Sequence, residues 1–357
     1  LGYRMAGGID LFSKYSDQTE YSRYENRTTG GQLRLGFPVT DEFGFTLRYS
    51  LYQQEVKIPN TEKQPFNDCS VPLANTELNG PSATPGVEGT PRRSECEGNG
   101  EASLAIKQAA GETWTSSGGV TLAYSTLDNG KNPHNGFYAE LKPDVAGLGG
   151  DSKYARVLGD ARYYYELFED VVGIARVQGG HIVGHSGEDL RVMDHFFLGP
   201  TLVRGFAPSG IGPRDVSTAD SRSNAVGGTT YFGGSLEAQF PIWGLPRELG
   251  LKGAVFADAG TLFGYEGITK FDVNKNGQFD CLAATRSLVQ PECITVRDNN
   301  VIRSSVGASI LWSSPLGPIR FDYAVALSKD EGFVNASGDK VGGDRTQAFR
   351  FSGGTRF

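Results

Sequence analysis

Apolar and polar residues alternate along this chain with a period of two, and the alternation recurs in many separate stretches. In Ile319-Arg320-Phe321-Asp322-Tyr323-Ala324-Val325-Ala326-Leu327 the odd positions are apolar, while Arg320 and Asp322 point the other way. Between Ala155 and Leu167, one face carries Val157, Ala161, Tyr163, Tyr165 and Leu167, and the other Arg156, Asp160, Arg162 and Glu166. Leu33, Leu35, Phe37 and Val39 alternate in the same way with Gln32, Arg34 and a glycine. Successive side chains of a strand point to opposite faces, so each stretch reads as a strand with one apolar and one polar side. The pattern predicts twelve strands, at 2–15, 28–39, 43–58, 112–127, 136–146, 152–167, 171–184, 225–242, 251–262, 302–313, 318–327 and 346–357. The fold class is all-β.

The connections alternate in length. Short turns fall at 40–42, 129–135, 168–170, 243–250 and 314–317, and longer loops at 16–27, 59–111, 185–224, 263–301 and 328–345, with a small one at 147–151. A soluble sandwich also alternates in hydropathy, but short turns at one end and long loops at the other are the pattern of a transmembrane antiparallel β-barrel, with periplasmic turns and extracellular loops. The last strand adds to this reading: it ends on Phe357, with Phe349, Phe351, Gly353 and Thr355 on the same face. No apolar run approaches the length of about 18 residues that marks a transmembrane helix. A membrane barrel is not excluded by that, because its strands give only a weak hydropathy signal.

Composition agrees with strands, tight turns and aromatic surfaces: 49 glycines, 15 tyrosines and 21 phenylalanines stand against two methionines in 357 residues. With 34 Lys and Arg against 41 Asp and Glu, the net charge of -7 offers no basic footprint, and no nucleic-acid partner is expected. The chain starts at Leu1 without a basic start and apolar core, so it reads as a mature protein or a piece of one.

The four cysteines form two local groups, Cys69 with Cys96 and Cys281 with Cys293, in polar stretches that fall in long loops on one side. Four cysteines permit three connectivities; proximity favours pairing within each stretch, which implies an oxidising compartment, and the alternative is four unpaired thiols. Asp272, Asn274, Asn276 and Asp280, with Gly277 at the sixth place, resemble the start of an EF-hand loop, making a structural calcium the one cofactor candidate. The twelfth place is Ala283 where a bidentate Glu is required, and an ordinary Asn/Asp turn looks the same. His181, His185 and His195 read as structural, because a four-residue spacing gathers histidines on one face only in a helix. No Gly-x-Ser-x-Gly elbow, Walker loop or Cys-x-x-Cys motif is present, so no enzymatic chemistry is expected.

The loop at 185–224 holds the most specific pattern. Val203-Arg204-Gly205-Phe206 is followed by Gly210 and by Ile211-Gly212-Pro213, so that an arginine and a phenylalanine lie among residues chosen for tight turns and close approach. On the strand at 225–242, Leu236, Ala238, Phe240 and Ile242 face outward and Glu237 inward; at 251–262, Leu251, Val255, Ala257 and Ala259 leave Phe256 and Asp258 inward. Two carboxylates on neighbouring strands therefore face the lumen, and a guanidinium engages such a pair through directed, charge-assisted hydrogen bonds that a lysine cannot copy. In the bland alternative, Arg204 solvates an exposed loop and Asp258 pairs elsewhere.

These motifs resemble the hallmark loop of the outer-membrane insertase family, the barrels that carry N-terminal POTRA domains. Ser235-Leu236-Glu237 is similar to the family's acidic position after the loop, Phe256-Ala257-Asp258-Ala259-Gly260 to its Phe-x-Asp-x-Gly strand, and Ser314-Pro315-Leu316-Gly317-Pro318 to its last turn. The Ile-Gly-Pro extension is most like the members that assemble other barrels. The resemblance runs over residues 1–357 and implies a loop folded into the lumen, its arginine meeting acidic residues on the wall. It also implies a C-terminal barrel domain that keeps about 12 strands of a family barrel with about sixteen, the first strand here resembling the fifth and the POTRA domains lying outside the chain. In the family the first and last strands form a seam that opens sideways, and this chain keeps the last one with Phe349, Phe351 and Phe357. The implied function is to fold and insert nascent outer-membrane proteins in the outer membrane of a Gram-negative bacterium. The implied partners are membrane lipids, accessory lipoproteins and periplasmic chaperones. A two-partner secretion pore shares the arginine loop and is the main alternative, followed by a passive porin.

Overall fold

The computed structural model describes residues 5–61, 64–65, 102–187, 189–217, 224–246, 249–271, 293–314, 317–334 and 340–353. Twelve strands form one continuous antiparallel sheet in which every strand pairs with its neighbours in sequence. They are β1 (Ala6–Asp17), β2 (Glu25–Pro38), β3 (Phe43–Lys57), β4 (Gly111–Ser125), β5 (Gly136–Gly150), β6 (Tyr154–Phe168), β7 (Val171–Gly184), β8 (Thr230–Pro241), β9 (Leu251–Phe263), β10 (Arg303–Ser314), β11 (Gly317–Ser328) and β12 (Phe349–Gly353). Antiparallel neighbours joined in order need only local turns, which the short connections supply.

Burial follows the period-two pattern with its usual sense inverted. Leu11, Leu236 and Phe351 are 86%, 65% and 62% exposed, whereas Asp258 and Asp322, from the opposite face, are 4% and 2% exposed. An apolar band this extensive is untenable in water and is what a sheet presents to lipid, with its polar side lining the lumen. Ion pairs stud the lumenal wall: Asp144 accepts from Arg48 at 2.7 Å and Arg156 at 3.3 Å, and Asp160 pairs with both Arg162 and Arg176.

The long-loop end carries a small core of its own. Tyr24, Val56, Ala105, Ile106, Val192, Val226, Phe271 and Ile294 are buried together there, drawn from several connections and, through Val56, from the end of β3. Part of this cap is a short helix, α1 (Leu104–Gln108), whose N-cap Ser103 accepts the Ala105 N–H at 3.4 Å. The helix lies at the described end of the long loop expected over 59–111, where Ala102, Ala105, Ile106 and Ala109 are all buried at helical spacing.

Several element boundaries also differ from the sequence reading. β5 continues to Gly150 through the small loop expected at 147–151, its register with β4 shifting between Thr115 and Ser117. β8 begins at Thr230 rather than at 225, because Asn224–Ala225 pairs with Arg214–Asp215 in the cap, which pairs in turn with Val296–Arg297. Between β1 and β2 the chain makes a single helical turn, Thr19–Ser22, where a loop was expected. β1 and β12 end the sheet, and loop contacts span the space between them: Arg345 Nη1 donates to the Glu20 carbonyl at 2.7 Å and Ser209 Oγ to Gln18 Oε1 at 3.3 Å.

Candidate functional site: a lumenal loop pinned to the barrel wall

Between β7 and β8 the chain turns back into the barrel. Leu202 and Val203 both donate to the Gly199 carbonyl at 3.0 Å, a tight turn that aims Arg204 at the inner wall. Arg204 then meets three side chains on two adjacent strands. Its Nε and Nη2 donate to Asp258 Oδ2 and Oδ1 of β9 at 2.7 and 2.6 Å, a bidentate fork, and its backbone N–H adds a third bond to Oδ2 at 3.0 Å. Nη1 reaches Glu237 Oε2 of β8 at 2.5 Å, and Nη2 reaches Ser235 Oγ at 2.8 Å. The guanidinium lies 3.5 Å from the centre of the Phe256 ring, a close cation–π contact.

The glycines of the motif earn their places by geometry. Gly205 has φ +91°, and a Cβ there would lie 3.2 Å from the Ala324 Cβ on the wall; Gly212 has φ +103°, and its Cβ would come within 2.6 Å of Leu262. Around them Leu202, Val203, Phe206, Ile211 and Leu262 form a buried apolar cluster, so the loop is packed as well as charged. Gly260, the last residue of the Phe-x-Asp-x-Gly strand, leaves the space that Leu202 fills, since a Cβ there would be 3.0 Å from Leu202 Cγ. Pro213 accepts the Val226 N–H at 3.1 Å, tying the returning limb to the cap. The loop is also bonded to the segment leading into β12: Gln347 N donates to Gly205 O at 3.0 Å and Ala207 N to Arg345 O at 2.9 Å.

One strong member of the network was not singled out from sequence. Arg320 of β11 donates to Glu237 at 2.8 and 3.2 Å, to Asp322 at 2.7 Å and to Ser309 at 2.8 Å. Glu237 Oε2 is thus shared between the loop's arginine and the wall's own. Period two had already put Arg320 on the lumenal face; what it could not supply was the partner, which lies three strands away across the curvature of the sheet. Arg350 of β12 likewise donates to the loop carbonyl of Pro200 at 3.0 Å.

The other residues of interest lie apart from this network. Phe349 and Phe351 face outward on β12, and Phe357 lies outside the described residues, as do Cys69, Cys96, Cys281, Asp272, Asn274, Asn276 and Asp280. Cys293 is disulfide-bonded. His181, His185 and His195 are each hydrogen-bonded locally, to Thr230 Oγ1, Ala146 O and Val226 O respectively. Among the described residues no group of three or more His, Cys, Asp or Glu is arranged to hold a metal ion. In the cap, burial pushes Asp194 up to about 6, against the pull of Arg191, Ser152 and Arg156, and pushes its neighbour His195 down to about 4, against the Val226 carbonyl.

A twelve-stranded antiparallel sheet with an apolar outside, a charged inside and a loop locked into its lumen defines a transmembrane β-barrel of the kind in which the interior is occupied rather than open. All 357 residues match the Omp85 superfamily domain, and the chain belongs to that superfamily. It is 35% identical over 243 residues, 68% of its length, to the outer membrane protein assembly factor BamA of Neorickettsia risticii. It is 23% identical over 98% of its length to the BamA of Neisseria meningitidis, and 25% identical over 65% to a sorting and assembly machinery component 50 homolog of Xenopus tropicalis. The chain spans 28%, 39% and 49% of the lengths of these three relatives. The crystal structure of BamA from Haemophilus ducreyi lacking POTRA domains 1–3 has the same fold, with a TM-score of 0.62 at 18% identity, covering 97% of this chain and 58% of that one. The Omp85 relatives named here are thus outer-membrane assembly proteins from bacteria and sorting and assembly proteins from a vertebrate.

Proposed function

We propose that this barrel assembles other β-barrel proteins into the outer membrane of a Gram-negative bacterium. In this reading nascent outer-membrane proteins are its clients, and accessory lipoproteins, periplasmic chaperones and the surrounding lipids its partners. What carries the reading is the Arg204 latch to Asp258 and Glu237 inside an Omp85 barrel. The 35% identity to the BamA of Neorickettsia risticii, against 25% to the Xenopus relative, favours a bacterial setting.

The work is mechanical. A strand edge offers a row of backbone donors and acceptors, so it recruits a client strand by β-augmentation without demanding a particular sequence. β12 suits that role because it ends the sheet: it pairs with β11 on one side and with no strand among the described residues on the other. The loop holds the segment before β12 through Gly205 and Ala207, so latch and edge are mechanically joined. A passive porin needs an open lumen, and a loop that fills the lumen beneath a capped end speaks against it.

The test is depletion and rescue with the full-length protein, comparing wild type with Arg204→Ala and following the folding of an unrelated outer-membrane barrel. Failure of the variant to restore client folding at normal membrane levels is the expected result. If the wild type has no effect on client barrels while one secreted substrate accumulates in the periplasm without it, the protein is a secretion pore and the assembly reading is wrong.

A further inference from the structure

The returning limb of the same loop carries a second arginine in a different predicament. Arg214, immediately after Pro213, is fully buried at 0% exposure. Its Nη2 donates to the Ser209 carbonyl at 2.9 Å, while Nε and Nη1 have no hydrogen-bond partner among the described residues. The charges around it are spent on one another: Arg303 grips Asp344 through Nε and Nη2 at 2.9 and 3.1 Å, and Arg297 grips Asp330 in the same way at 3.1 and 2.8 Å.

The backbone makes matters worse for Arg214. It sits directly opposite Arg297 in the small cap sheet, and like charges at opposed positions of an antiparallel pair repel. A guanidinium does not escape by losing its proton in a protein. Burial first, and then the nearby Arg345, pull its pKa down to about 10, with Asp344 and Asp330 partly offset by Arg303, so it stays charged at neutral pH. Hydration alone answers the donors but leaves a buried charge that Asp344 and Asp330 compensate only in part, and such a charge is costly for a fold to carry.

We propose that the cap holds a small inorganic anion of the halide class at Arg214, against its Nε and Nη1 donors. The enclosure sets the class: a guanidinium with no exposed surface admits a monatomic ion and excludes a phosphate-bearing headgroup or an acidic peptide. The ion would hold the returning limb in place, so the loop would be anchored twice, by Arg204 in the lumen and by Arg214 in the cap.

The experiment uses the intact membrane protein in two ways. Crystals are soaked in sodium bromide and the anomalous map is inspected at Arg214. In parallel, hydrogen exchange of the segment 209–216 is compared in sodium chloride and sodium gluconate at equal ionic strength. The expected results are a bromide peak beside the guanidinium and exchange about tenfold slower in chloride, the effect of an ion present at about ten times its Kd. The chloride effect should vanish in Arg214→Met. No bromide peak there, exchange that is equal in the two salts, or a peak that persists unchanged in Arg214→Met as an adventitious ion only, would each overturn the proposal. Should the variant fail to fold, the wild-type map and salt comparison decide alone.

Discussion

Removing the Arg204 side chain should release the loop, and the structure says which wall residue bears the loss. Arg204 makes four side-chain hydrogen bonds to the wall, and its ring contact with Phe256 goes with them. Glu237 would not be stranded, because Arg320 still holds it at 2.8 and 3.2 Å and Gln239 donates to it at 2.8 Å. Asp258 is in the opposite position: its side chain is 2% exposed, and its hydrogen bonds among the described residues all come from Arg204. Breaking a buried, hydrogen-bonded pair by deleting one partner costs about 3–5 kcal/mol. At about 1.4 kcal/mol per factor of ten, Arg204→Ala should favour the undocked loop by roughly two to three and a half orders of magnitude. Arg204→Lys keeps the charge but not the fork, and should cost about half as much.

Hydrogen exchange in lipid nanodiscs reads this directly, because the Arg204 amide itself donates to Asp258 and the Ala207 amide to Arg345. A double-mutant cycle then partitions the latch. Coupling of Arg204 to Asp258 should exceed its coupling to Glu237, and the Glu237 term should grow when Arg320→Met removes the competing cation. Exchange over 203–211 that is the same in Arg204→Ala as in wild type, or a Glu237 coupling as large as that of Asp258, would refute the argument that the latch is concentrated on one carboxylate.

Three further outcomes are expected. Gly212→Ala forces a side chain into φ +103° with its Cβ 2.6 Å from Leu262, so loop docking should weaken by about 1–3 kcal/mol from backbone strain alone, visible as faster exchange at Ile211. Asp194 and His195 should cancel in their pH response. Asp194, raised to about 6, gains stability as pH falls through 6 toward its unfolded value of 3.8, while His195, lowered to about 4, loses stability as pH falls from 6.5 toward 4. Protection factors in the cap, which remove the intrinsic pH dependence of exchange, should therefore be nearly flat in wild type between pH 6.5 and 4, fall on acidification in Asp194→Asn and rise in His195→Asn; two variants with the same slope would contradict it. Leu236→Arg, outward on β8 and 65% exposed, should cost up to about 2–4 kcal/mol in a folding titration into lipid vesicles, and no shift would mean that this face does not meet hydrocarbon.

How much of this was readable beforehand divides along a physical line. Strand positions are set by a two-residue period that every segment carries within itself, and all twelve expected strands have a counterpart in the sheet. The loop's partners were readable too, because Glu237 and Asp258 lie on adjacent strands and their facing follows from the same alternation. Arg320 was visible as a lumenal residue but not as a partner of Glu237, since that contact depends on how the sheet curves. The cap was missed for a different reason. Its apolar residues sit at helical spacing for less than two turns in α1, too short to stand out, and its core forms only when separate connections meet.

The shared carboxylate gives the latch a property that neither arginine alone would confer. If Arg204 were the only cation facing Glu237 and Asp258, withdrawing the loop would expose two bare carboxylates to a low-dielectric wall and the docked state would be close to irreversible. Arg320 lies on the wall and keeps Glu237 paired whether or not the loop is present, so only Asp258 loses its partner on release. The latch is then specific, through the fork that only an arginine can make, yet its opening free energy stays within reach of competing interactions of a few kcal/mol. A loop that is bonded to the segment before β12 and can be released at that cost is mechanically suited to respond to a change at the sheet edge.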